Sequence, residues 1–203
     1  VRKDILQDAV MNILESAAFC DNLRSFGIQR ITPPDIIKAK QTETTQRFKA
    51  HLITFAGDDL FTKIEFSKRG FEGEIKIEPV LDIILREYKM PPILIPHYTI
   101  EAAVFQKIYA LQARRVTQAR DIFDLYLLSS QYQPGRDKIA RIKRSVVKQV
   151  EEKVFAVEFE VFRDTVVSYL SFSDRSAYER SEAWDEVRLK TVHFVKELNE
   201  KSG

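Results

Sequence analysis

The chain has 203 residues, of which 44% are hydrophobic and 31% charged, with 32 Lys and Arg against 30 Asp and Glu. That length buries a real core in one large or two small domains, and the apolar fraction excludes a wholly disordered chain. A formal net charge of +2 does not by itself mark a nucleic-acid binder and leaves a local basic patch open.

The one cysteine, Cys20, excludes an internal disulfide and any multi-cysteine zinc site, and His51, His97 and His193 are too scattered to read as a metal cluster. No stretch approaches the roughly 18 apolar residues that span a bilayer. The expected home is a reducing cytoplasm, with no membrane partner. The sequence begins at Val1 without a basic region leading into an apolar run, so no signal peptide is read there. The expectation is that residues have been removed or that this is the back part of a longer protein.

Residues 2–19 carry Ile5, Leu6, Ala9, Val10, Ile13, Leu14 and Ala17 at helical spacing, which predicts one helix before the Pro33–Pro34 break. Arg47–Phe55 and Leu60–Ser67 read as strands, with Gly57-Asp58-Asp59 as the turn of an antiparallel hairpin. Gly70 and Gly73 close this unit, and Glu74–Glu78 forms a short extended piece. Pro79 is placed to open a helix with Val80, Ile83, Ile84 and Leu85 as its apolar face. Pro91, Pro92 and Pro96 enforce an extended segment in which Ile93–Ile95 form a short buried strand. From Thr99 onward the spacing predicts only helices, at about 100–113, 119–130, 137–153, 158–171 and 176–200. The fold class is α+β: a small sheet-containing portion over 1–98, then a helical bundle over 99–203.

Four groups of residues can carry chemistry. Lys63 and Glu65 share one face of a strand with Phe61, and Leu60, Thr62, Ile64 and Phe66 take the apolar face. A carboxylate there suits a hard cation and a lysine suits phosphate, while the structural alternative is a cross-strand ion pair. Thr99 is a helix N-cap, and Lys107 lies eight residues on beside apolar neighbours, as a phosphate ligand or a side chain that snorkels to water. The helix ARDIFDLYLL embeds Arg120, Asp121 and Asp124 in apolar sequence, and buried charges need partners or a task. Arg120 can pair with Asp124 one turn away. Lastly, Arg136, Lys138, Arg141, Lys143, Arg144, Lys148 and Lys153 make a basic helix opposite Ile139, Ile142, Val146 and Val150, either an RNA-facing surface or a solvated face.

The order of these signals is more specific than any one of them. Lys63-x-Glu65 in a strand, Lys107 in QKIYAL with a following Arg114, then Arg120-Asp121-x-x-Asp124 in RDIFDLYLL resembles the AbiEii/AbiGii-type nucleotidyltransferase toxins, the toxin halves of type IV toxin–antitoxin pairs. The resemblance covers about residues 47–130 and, more loosely, the helices after them. It implies a nucleotidyltransferase fold with an antiparallel or mixed sheet. It implies metal-dependent transfer of a nucleoside monophosphate from a nucleoside triphosphate (NTP) to RNA or tRNA, with Mg²⁺ as cofactor and a cognate antitoxin as partner.

By this resemblance Glu65 is a catalytic carboxylate and a metal ligand, and Asp121 is the late acidic residue that organises a lysine or acts as a base. Lys63 and Lys107 contact nucleotide phosphates; Thr99, Arg120 and Asp124 support them. The departure is the family's first motif: no Gly-Gly or Gly-Ser turn leading to a D-x-D strand occurs in the 203 residues, and Asp58-Asp59 belongs to a turn. The catalytic pair is therefore expected before Val1 or lost, making the chain a fragment or a degenerate form. A non-catalytic RNA- or protein-binding module on the same scaffold is the alternative, and an unrelated α+β domain is a third reading. The first reading predicts that Glu65, Lys107 and Asp121 converge in one cleft.

Overall fold

The computed structural model describes residues 3–35, 42, 44–67, 73–132 and 142–200. Its contacts divide the chain into two compact units, Val1–Phe71 and Glu72–Gly203. The boundary read from sequence, between 98 and 99, falls inside the second unit.

The first unit runs α1 (Lys3–Leu14), α2 (Ala17–Arg24), β1 (Ile28–Thr32), β2 (Thr45–Thr54) and β3 (Asp59–Ser67). The single helix expected over 2–19 is two. Ser16 takes an extended conformation and its hydroxyl accepts from Phe19 N at 3.3 Å, so a side chain that competes with helical backbone starts a new helix. The strands form an antiparallel sheet in the order β1-β2-β3. β1 escaped the sequence reading because it is five residues long with only Ile28 and Ile31 as apolar residues.

The predicted hairpin is present. Gly57 supplies the left-handed turn at φ 91°, and Thr54 Oγ1 accepts from Asp58 N at 3.0 Å. The register pairs Phe48 with Ile64 and Ala50 with Thr62. Phe48 and Ala50 are buried with Val10 and Leu14, and Leu6, Phe19, Ile31 and Ile64 complete that core. The opposite face carries Arg47–Glu65, Lys49–Lys63 and His51–Phe61 as direct cross-strand pairs.

The second unit begins with β4 (Ile75–Pro79), α3 (Asp82–Glu87) and β5 (Leu94–Tyr98), and β4 and β5 pair antiparallel. Two expectations fail here. Pro79 closes β4 instead of opening a helix, since α3 starts after Leu81, and of the expected apolar face only Leu85 is buried while Ile83 is 74% exposed. β5 lies one residue later than read and is not buried at Leu94 or Ile95. Pro96 fits within it because a two-stranded sheet has only edge strands, so its missing N–H faces away from the ladder.

The helical part comprises α4 (Ile100–Ala113), α5 (Ala119–Ser129), α6 (Arg144–Phe155), α7 (Phe159–Thr165), α8 (Phe172–Tyr178) and α9 (Ser181–Glu200). A 3₁₀ turn, Val167–Tyr169, ends the helix expected over 158–171. The helix expected over 176–200 is split between α8 and α9. The expected start of the 137–153 helix, the Pro134-Gly135 break, and residues Arg136, Lys138, Ile139, Arg141 and Gly70 lie outside the described residues.

α5 is central: it packs on α4, α7 and α9, which is why its sequence is apolar nearly all round. Trp184 anchors the core, stacked on Phe162 at 4.2 Å with its indole N–H donating to Val157 O at 2.9 Å. Among the described residues no helix is long and apolar enough to cross a membrane.

Candidate functional site

The second unit gathers four charged side chains on α4, its C-terminal end and the first turns of α5. Thr99 caps α4 as its sequence predicts, its hydroxyl accepting from Ala102 N at 3.2 Å. Two turns later Lys107 emerges between buried Val104 and Ile108. Asp121 sits in the first turn of α5, where the partial positive charge of the helix N-terminus favours a carboxylate. Lys107 Nζ donates to Asp121 Oδ1 at 3.1 Å and to Asp124 Oδ2 at 2.5 Å. Arg114 Nε lies 2.7 Å from Asp121 Oδ2, a close ion pair whose N–H is not aligned on that oxygen.

Burial in this cluster is graded. Asp121 is 2% exposed, the Lys107 side chain 23%, Arg114 41% and Asp124 43%. A lone carboxylate that deep would be strongly disfavoured; here two cations compensate it. Their outer parts reach solvent and keep donors in reserve: one of three on Lys107, and the guanidinium ends of Arg114. The chemistry on offer is anion binding by two cations that a buried acid fixes in place. Asp121 itself is shielded from solvent by the groups it holds.

Arg120, by contrast, is exposed. The ion pair foreseen between Arg120 and Asp124 is not formed, because Asp124 turns to Lys107 instead. The contribution of Arg114 to the cluster was not foreseen. It lies past the last turn of α4, where helical periodicity no longer says what a side chain faces.

Lys63 and Glu65 belong to the first unit. Glu65 is held by Arg47 across the strand pair, with Nη2 at 2.5 Å and Nε at 2.7 Å. That partner was legible in principle, since a short turn sets the register of a hairpin. Lys63 stands directly opposite Lys49. Of the expected trio, Lys107 and Asp121 meet, and Glu65 has its partner within its own sheet. Among the described residues no three His, Cys, Asp or Glu side chains are gathered to hold a metal ion. Glu65 alone therefore does not make a magnesium site.

The basic helix has a structural duty in part. Lys153 Nζ donates to Gln112 O at 2.5 Å and Arg114 O at 2.7 Å, closing the carbonyl end of α4 and steadying the segment that carries Arg114. Lys143, Arg144 and Lys148 are exposed. Beside β4 and β5 a separate cleft of about 490 Å³ is lined by Glu74, Glu78, His97, Glu101 and Tyr132, among others. Burial pushes the Tyr132 hydroxyl above its ordinary pKa, and Glu101 adds to the shift.

The family described as "Nucleotidyl transferase AbiEii toxin, Type IV TA system" matches residues 15–197, which include every charged residue discussed above. Among solved structures, JHP933 from Helicobacter pylori is 17% identical with a TM-score of 0.42, over 86% of this chain and 65% of its own. This chain thus spans about two thirds of that protein's length. A second H. pylori protein, described as a candidate nucleotidyltransferase, is 16% identical with a TM-score of 0.43, over 93% of this chain and 75% of its own. No curated protein matches the sequence. With a family match that takes in nearly all of the chain, this protein belongs to the AbiEii nucleotidyltransferase toxin family of type IV toxin–antitoxin systems.

Proposed function

We propose that this chain carries the phosphate-binding part of a nucleotidyltransferase that moves a nucleoside monophosphate from an NTP to an RNA end, tRNA included. One observation supports the reading above all: Asp121, 2% exposed, holding Lys107 and Arg114 toward solvent in a member of this family. In transfer between phosphates, catalysis is mostly positioning and charge stabilisation. Lys107 and Arg114 bind the triphosphate and take up charge as the α-phosphorus–oxygen bond to pyrophosphate breaks. Asp121 orients both cations, which suits its burial better than a role as base. Asp124 fixes Lys107 from the other side, Thr99 holds the start of α4, and Arg120 faces solvent at the edge of the site.

By the family's motif order, Lys63 is assigned to nucleotide phosphate and Glu65 to a catalytic, metal-binding carboxylate, both on the hairpin of the first unit. Magnesium supplies charge neutralisation in such reactions. Glu65 is the residue assigned to hold it, and no step is derived through it. The partner that restrains the activity is a cognate antitoxin, in the cytoplasm.

The test is incubation of the protein with each α-labelled NTP, magnesium and total tRNA. Label in RNA that Lys107→Ala and Asp121→Asn abolish supports the reading. Unlabelled RNA with all four nucleotides and parent protein refutes transfer by this chain.

A further inference from the structure

The polar face of the β2–β3 hairpin holds two lysines in an unusual arrangement. Lys49 and Lys63 are direct cross-strand partners, and like charges placed so repel. The neighbouring groups have partners: Arg47 pairs with Glu65 across the strands, and His51 Nδ1 lies 2.8 Å from Asp59 Oδ1. Among the described residues neither Lys49 nor Lys63 has a carboxylate partner. Both instead converge on Phe61, with Nζ atoms 4.2 and 5.6 Å from the ring centroid. Phe61, the third residue of β3, is 55% exposed, with the His51 ring 6.4 Å away as its other neighbour. An exposed aromatic ring flanked by two unneutralised ammonium groups matches the chemistry of one nucleotide: a base to stack and a phosphate to neutralise.

We propose that Phe61, Lys49 and Lys63 form a nucleotide subsite, with the base stacked on Phe61 and its phosphate between the two lysines. Lys63 takes its phosphate role from the transfer reading above, on which this inference rests; Phe61 and Lys49 are added by the geometry alone. A phosphate there removes the repulsion that the empty face carries, and the lysines leave the ring as the base arrives. The nucleotide is either a free NTP or the end of a single-stranded RNA, which present the same two groups.

Equilibrium binding tests it without requiring turnover. ATP, CTP, GTP and UTP are titrated by calorimetry, an eight-nucleotide single-stranded RNA by fluorescence anisotropy, and inorganic tripolyphosphate serves as the baseless probe. Phe61→Ala weakens binding of the base-bearing ligand by about tenfold, Phe61→Trp restores it, and tripolyphosphate binding is unchanged by either. Lys49→Ala weakens all ligands that reach the site. Loss with the NTPs alone assigns the subsite to the incoming nucleotide, and loss with RNA alone assigns it to the acceptor. Parent-like binding of both by Phe61→Ala, with its circular dichroism unchanged, overturns the proposal, as does a parent protein that binds neither. Lys107→Ala is run alongside: if it leaves NTP binding intact while Phe61→Ala does not, the transfer site is misassigned and the subsite stands.

Discussion

Asp121→Asn tests the charge cluster most sharply, because it keeps the shape and changes only the acceptors. The carboxylate offers one oxygen to Lys107 at 3.1 Å and the other to Arg114 at 2.7 Å. Asparagine has one oxygen and one NH₂, so in either flip one cation faces a donor. Removing a partner from a buried ion pair costs about 3–5 kcal/mol, but here the stranded cation is partly exposed and Lys107 keeps Asp124. The loss reduces to one charge-assisted hydrogen bond, about 2 kcal/mol. With a urea dependence of about 2 kcal/mol per molar, the midpoint falls by about 1 M. Trp184 is the single tryptophan and is buried in the second unit, so its fluorescence follows this transition. Lys107→Met should cost less, since Asp121 keeps Arg114 and Asp124 can hydrate. The double variant should fall short of the sum by about 1 kcal/mol, because the Asn–Lys conflict is then absent. An Asp121→Asn protein within about 0.5 kcal/mol of the parent, or strict additivity, would refute the argument that these groups act as one unit.

Three further outcomes are expected. Trp184→Ala removes a stacked indole and its bond to Val157 O, and should cost about 3–5 kcal/mol, read as loss or strong weakening of the cooperative far-ultraviolet melt of the second unit; a midpoint unchanged within error would mean that Trp184 does not anchor this core. Lys153→Met strips two donors from the carbonyl end of α4 and should lower the melting temperature by roughly 3–6 °C. It should also weaken nucleotide binding through Arg114, and an unaltered melt would sink the capping role. Burial raises the hydroxyl pKa of Tyr132 and Tyr178 above the ordinary value of 10.0. For a group neutral when protonated, the unfolded chain loses its proton first, so this contribution is intact below pH 10 and stability falls as pH rises above it. Absorbance at 295 nm should show a late-ionising fraction that Tyr132→Phe and Tyr178→Phe each reduce; a single transition near pH 10 for all tyrosines would contradict the shifts.

What the sequence by itself determined is what depends on near neighbours. The α4 and α5 spans, the Thr99 cap and the β2–β3 hairpin with its Gly57 turn follow from spacing, capping chemistry and a left-handed residue, all within a few positions. The order of Lys63, Glu65, Lys107, Asp121 and Asp124 was also enough to mark the family. Where local signals compete, the reading slipped: Ser16 divides an amphipathic run that periodicity alone would continue, and Pro79 suits a strand end as well as a helix start.

Tertiary structure decided the partners. Arg114 and Lys107 close on Asp121 because two helices pack side by side, and no spacing rule within either helix encodes that meeting. Lys153 looked like part of a basic surface until the packing of α6 against α4 turned it onto backbone carbonyls. Within the hairpin, by contrast, the register that the short turn sets gave Glu65 to Arg47 and left Lys63 facing Lys49. A side chain's type states what it can bond, whereas its partner is set by the geometry that the whole chain reaches when its core is buried.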